Sequence, residues 1–173
     1  MAENMPIVAE GWVVAADRVG LWLVSGGDAW RTAPVPSDSG PHAELELELS
    51  AHGIDLDRVA LMHSTSWRAD GPHLIVTYMV VVTPDDLVRG IWRDARPITG
   101  EAADEVGTPR THAADEPPEP SDFHVLMHGL RHLKFLTEND GTAAAALGGL
   151  WREHLGPFGP ALAGMYSEPH RAA

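Results

Sequence analysis

The chain has 173 residues, 44% hydrophobic and 21% charged, enough for one domain with a real core, with or without a helical appendage. This composition excludes collagen-like and wholly disordered chains. With 25 acidic against 12 basic residues the net charge is −13. That charge repels phosphate backbones and anionic lipid, so general nucleic-acid binding and membrane binding are set aside. Without cysteine, disulfides, thiolate catalysis and Cys-ligated zinc or iron–sulfur centres are excluded. The opening MAENMPIVAEGW lacks a basic stretch followed by an apolar one, and no run of 18 apolar residues occurs. A soluble, cytoplasmic protein is the expectation.

In chain order, residues 11–15 (GWVVA) and 21–24 (LWLV) flank the polar turn 17–20 (DRVG) and predict a β-hairpin. Residues 37–54 are ambiguous. The run 44–49 (ELELEL) alternates with period 2, as a half-buried strand does. Its flanks favour a helix: Asp38 or Ser39 as N-cap, Pro41 in the first turn, early glutamates and Gly53 at the C-terminal left-handed position. The flanking signals decide for the helix. Residues 58–67 and 73–82 form a second strand pair, joined by a turn at 68–72 (RADGP). The later strand, HLIVTYMVVV, is apolar on both sides of its pleat and is expected to be central, with helices on both faces of the sheet. Residues 83–86 (TPDD) read as the cap of one more short helix.

Residues 101–122 hold seven acids, one base and four prolines (Pro109, Pro117, Pro118, Pro120). Such a stretch cannot bury enough surface to offset its ordering and reads as a connector. Beyond it, Phe123, Leu126, Met127, Leu130 and Leu133, then Leu147, Leu150, Trp151, His154 and Leu155, recur at helical spacing. They predict two amphipathic helices split at 139–141 (NDG) and ended at Gly156-Pro157. The expected organisation is an α+β sandwich over 1–99, a connector over 100–122, and a helical pair over 123–173 that packs on the sheet or on a partner.

The order of hairpin, Trp-Pro loop, helix ending in Gly and strand pair, from Gly11 to Val82, resembles a Nudix domain. Trp30-Arg31-Thr32-Ala33-Pro34 is similar to the W-x-x-P segment that leads into that family's phosphate loop. Residues 43–54 (AELELELSAHGI) are similar to its signature helix. The resemblance implies a mixed sheet between helices and, where the R-E-U-x-E-E-x-G-U run is intact, magnesium-dependent hydrolysis of a diphosphate by clustered glutamates. Aligning the final Gly-hydrophobe pair on Gly53-Ile54 places Ser50 and Ala51 where the paired glutamates belong. The signature is degenerate.

Four sets of residues carry candidate chemistry. Glu44 and Glu48, with Glu46 opposite, are displaced carboxylates that could hold magnesium in a shifted register. Trp30, Arg31, His63, Trp67, Arg68 and His73 are candidates for a ligand cleft, suited by stacking and guanidinium contacts to a nucleotide. His124, His128 and His132 recur every four residues on one helix, a spacing that can chelate a transition metal. With no carboxylate or cysteine to complete that set, the expected reading is a polar border of a packed helix, with no metal and no cofactor. The fourth set is Ser64-Thr65-Ser66, which has no positioned base and reads as turn-proximal polarity; G-x-S-x-G, Walker and G-x-G-x-x-G motifs are absent.

The expectation is therefore a non-catalytic Nudix-like module that senses a small nucleotide-like ligand or binds a protein partner. One alternative is a magnesium-dependent hydrolase of a nucleoside diphosphate-linked compound using Glu44, Glu46 and Glu48. The other is a structural component of a larger assembly.

Overall fold

The computed structural model describes residues 5–83, 94–99 and 122–163. The hairpin strands are β1 (Ile7–Ala16) and β2 (Leu21–Leu23), followed by the short β3 (Trp30–Arg31), helix α1 (Pro41–Ala51), β4 (Val59–Asp70), β5 (His73–Val82) and β6 (Arg96–Ile98). Two helices close the described chain, α2 (Asp122–Asn139) and α3 (Gly141–His154). The strands form one mixed sheet in the order β4-β5-β1-β2-β6, with β3 also paired to β1. Among the described strands only the β1–β5 pair is parallel, with Ile7 opposite Leu74 and Val14 opposite Val81. The chain is an α+β sandwich with a C-terminal helical pair. Among the described residues no helix is long and apolar enough to cross a membrane.

Strand parity distributes the core. Ala9, Val13 and Ala15 of β1 share one face with Tyr78, Val80 and Val82 of β5, and Leu45 and Leu49 of α1 cover it. Trp12, Val14, Ala16, Met79 and Val81 point to the other face, under Leu126, Met127, Leu130 and Leu133 of α2 and Leu147 and Trp151 of α3. The helical pair thus packs on the sheet of its own chain. As expected, β5 is central and buried on both faces over its second half.

Residues 44–49 are helical, and the alternation resolves simply: Leu45 and Leu49, four apart, reach the core while Leu47 is 66% exposed. Close approach makes this possible, since a Cβ on Gly11 would lie 3.0 Å from Leu45 Cδ1. Pro41 opens the helix and Gly53 adopts φ 83° behind it, as expected. The cap is not Asp38 or Ser39, however. Gly40 occupies that position without any side-chain hydrogen bond, because Pro41 is the first helical residue and the earlier side chains stand one and two positions too far back.

The second hairpin also differs from expectation. Arg68, Ala69 and Asp70 continue β4, and the turn is only Gly71-Pro72, with Gly71 at φ 54°. Asp70 pairs directly with His73, so the ladder runs to the turn itself. Asp122 is the first residue of α2, not the end of the connector. The connector at 100–121 and residues 84–86 of the expected short helix lie outside the described residues, and Thr83 follows β5 without helical structure. Asp140 accepts hydrogen bonds from the backbone of Thr142 and Ala143 and caps α3, which accounts for the split at 139–141.

Candidate functional site

The register of the sheet assembles one charged cluster from distant parts of the chain. Glu10 stands in β1 opposite Arg31 of β3 on one side and opposite Thr77 of β5 on the other. Arg68 of β4 projects from the same face, which is that of α2 and α3, because its pairing partner Ile75 has the parity of Thr77. The Glu10 side chain is 0% exposed. Its Oε2 accepts from Arg31 Nε at 2.8 Å and from Arg68 Nη2 at 2.7 Å. Arg31 Nη2 also lies 2.7 Å from that oxygen. Its Oε1 accepts from Arg68 Nη1 at 3.0 Å, Thr77 Oγ1 at 3.1 Å and Trp12 Nε1 at 3.2 Å.

Burial alone would push the Glu10 carboxyl up. The hydrogen bonds and charge of Arg68, the charge of Arg31 and the Trp12 indole outweigh it and hold the group below the ordinary carboxylate range. Burial likewise opposes the Arg68 charge, and Glu10 more than compensates. A carboxylate so saturated is not a general base, since no lone pair is left to take a proton at neutral pH. What the cluster offers is the N–H donors of two guanidiniums, with Asp122 and Asp70 adding negative charge around Arg68. The Arg31 side chain is 42% exposed and that of Arg68 19%.

The other expected cleft residues do not gather here. Trp30 lies on the α1 face and stacks on His52, ring centroids 4.0 Å apart and planes 7° apart. Trp67 follows the parity of Val76, opposite to Arg68, and is exposed beside Ser64, Leu74 and Val76 in an open groove of about 460 Å³. His63 packs under α2 against His132, rings 5.1 Å apart. His73 sits at the hairpin end opposite Asp70. Adjacent strand residues point to opposite faces, so Trp67 and Arg68 cannot line one side of a cleft.

The α2 histidines also differ from expectation. His128 and His132 are buried, not a polar border, while His124 is partly buried beside the Phe123 ring. The His132 Nδ1 is 3.1 Å from the Ala161 carbonyl, and His128 hydrogen-bonds the backbone of Thr65. Burial lowers the pKa of both. On α1, Glu48 lies 3.2 Å from His52 Nε2 and Glu46 lies 3.7 Å from His42, leaving Glu44 in the first turn. Among the described residues no three His, Asp or Glu side chains are placed to hold a metal ion.

Sequence reasoning picked out Arg31 and Arg68 but missed Glu10, Thr77, Trp12 and Asp122. A signal for Glu10 was present: it is the lone charge in the ten-residue strand IVAEGWVVAA, and a charge in a strand buried on both faces demands partners. Comparisons with family models, curated proteins and solved structures give no match to this chain.

Proposed function

We propose that the chain is a non-catalytic Nudix-like module that senses a small, nucleotide-like anionic ligand. The observation that carries this reading is the composition and surroundings of α1. Its last turn holds Ser50 and Ala51, and the Ser50 hydroxyl donates back to the Glu46 carbonyl at 2.9 Å. Two of its three glutamates are engaged singly by His42 and His52. Hydrolysis of a diphosphate requires carboxylates converging on a cation to generate the nucleophile, and α1 engages Glu46 and Glu48 with separate histidines and carries Glu44 in its first turn. Arginines held rigidly by a buried carboxylate support ligand binding, since order already present in the free protein lowers the cost of association.

The test is a substrate panel of dinucleotides, sugar nucleotides and oxidised nucleotides with magnesium or manganese, run beside thermal unfolding. Sensing predicts stabilisation by at least one member without turnover; ligand at 100 times its Kd adds about 2.7 kcal/mol. Turnover above about 0.1 per second that is lost in Glu44→Gln or Glu48→Gln overturns the reading, since enzymes commonly turn over about 1–1,000 times per second.

A further inference from the structure

We propose that Arg31 and Arg68, pinned by Glu10, form a receptor for a phosphate or diphosphate oxyanion, and that the Asp122 carboxylate occupies this place when no ligand is bound. The proposal rests on the ligand-sensing reading and names the group of the ligand that the chain recognises. Its first support is charge. Two guanidiniums converge on one buried carboxylate in a chain of net charge −13, while Asp122 and Asp70 add negative charge around Arg68.

Donor geometry is the second support. A guanidinium has five N–H donors. Glu10 accepts from Arg31 Nε, with Arg31 Nη2 2.7 Å from the same oxygen, and from Arg68 Nη1 and Nη2, and Arg68 Nη1 also donates to Thr77 Oγ1 at 3.1 Å. Donors beyond these remain on both guanidiniums, whose side chains are 42% and 19% exposed, and paired guanidinium edges match the spacing of phosphate oxygens. Because Glu10 is wholly buried and saturated, both arginines are positioned before any ligand arrives.

The third support is Asp122. Its carboxylate lies 3.7 Å from Arg31 Nη2 and its side chain is 54% exposed. A pair this long and this exposed is weak. It offsets part of the arginine charge without locking the arginines, so a doubly charged oxyanion with shorter contacts displaces it. Asp122 thereby sets a threshold on ligand affinity.

The experiment is calorimetric titration of the full chain with inorganic pyrophosphate in the presence of a chelator, for wild type, Arg31→Gln and Asp122→Asn. Arg31→Gln leaves the Glu10–Arg68 pair intact, and its urea midpoint reports that it folds. Wild type should bind; Arg31→Gln should weaken binding at least ten-fold and Asp122→Asn should tighten it about two- to five-fold, the range set by an exposed pair. Absent binding, or equal binding by wild type and Arg31→Gln, overturns the receptor, and unchanged affinity in Asp122→Asn overturns the role of that carboxylate. Nucleotide stabilisation that survives failed pyrophosphate binding sinks this inference alone. Turnover with intact pyrophosphate binding sinks the non-catalytic reading alone.

Discussion

Replacing Glu10 with glutamine preserves the shape of the side chain and removes its charge, leaving two guanidiniums on a neutral amide. The wild-type carboxylate is 0% exposed and accepts from Arg31, Arg68, Thr77 and Trp12. The amide retains one acceptor oxygen, and its NH2 group faces arginine donors. Breaking a buried pair by removing one partner costs about 3–5 kcal/mol, mostly from the charge left uncompensated. Arg31 at 42% and Arg68 at 19% exposure keep some access to water, which puts the expected loss near the lower end, about 3 kcal/mol. Urea unfolding measures it, as a lower midpoint at unchanged slope. In a cycle with Arg68→Gln the double variant should lose less than the sum of the singles, because the second substitution removes the stranded charge. The acid limb adds a check on sign. A carboxyl whose folded pKa lies below its unfolded value stabilises the fold above the unfolded value of about 4.3, and that contribution disappears as pH falls through the lower folded value. Glu10→Gln should lack this component. A loss under 1 kcal/mol with additive singles would refute the account of a buried anion holding two cations.

Three further outcomes follow from packing and burial. A Cβ on Gly129 would lie 2.8 Å from Met79 Cγ and closer still to its Sδ, so Gly129→Ala should destabilise by about 1–3 kcal/mol despite the better helix propensity of alanine, read from the urea midpoint. On α1, Leu49→Ala should cost about 2–5 kcal/mol and Leu47→Ala no more than about 0.5, since Leu49 is fully buried and Leu47 exposed; equal losses would mean that the helix packs through another face. Burial, with Arg131 and the neighbouring histidines adding repulsion, lowers the pKa of His128 and His132. Both states are neutral there above the unfolded value of about 6.5, and below it the unfolded chain takes up protons that the fold resists, so the urea midpoint should fall between pH 7.5 and 5.5 and fall less in His132→Phe.

The hairpins and the terminal helices were legible in the sequence because their signals are local. Short apolar runs flank the polar turn at Asp17, whose carboxylate accepts from the Val19 and Gly20 backbone, and Gly71 takes the positive φ that a two-residue turn needs. The 3–4 spacing of Leu126, Met127, Leu130 and Leu133, followed by the Asp140 cap, likewise needs no tertiary partner to be read. The ELELEL run was different: its own pattern fits a strand, and Gly11 on β1 admits Leu45, which brings Leu49 four residues on to the same buried face. The candidate site was beyond local reading for the same reason. Glu10 meets Thr77 across 67 residues only because β1 pairs with β5 in parallel, and pleat parity sends Arg68 toward Glu10 and its neighbour Trp67 to the opposite face. Periodicity in one segment reports which residues share a face; which faces meet depends on strand order and register, set by contacts between segments far apart in the chain.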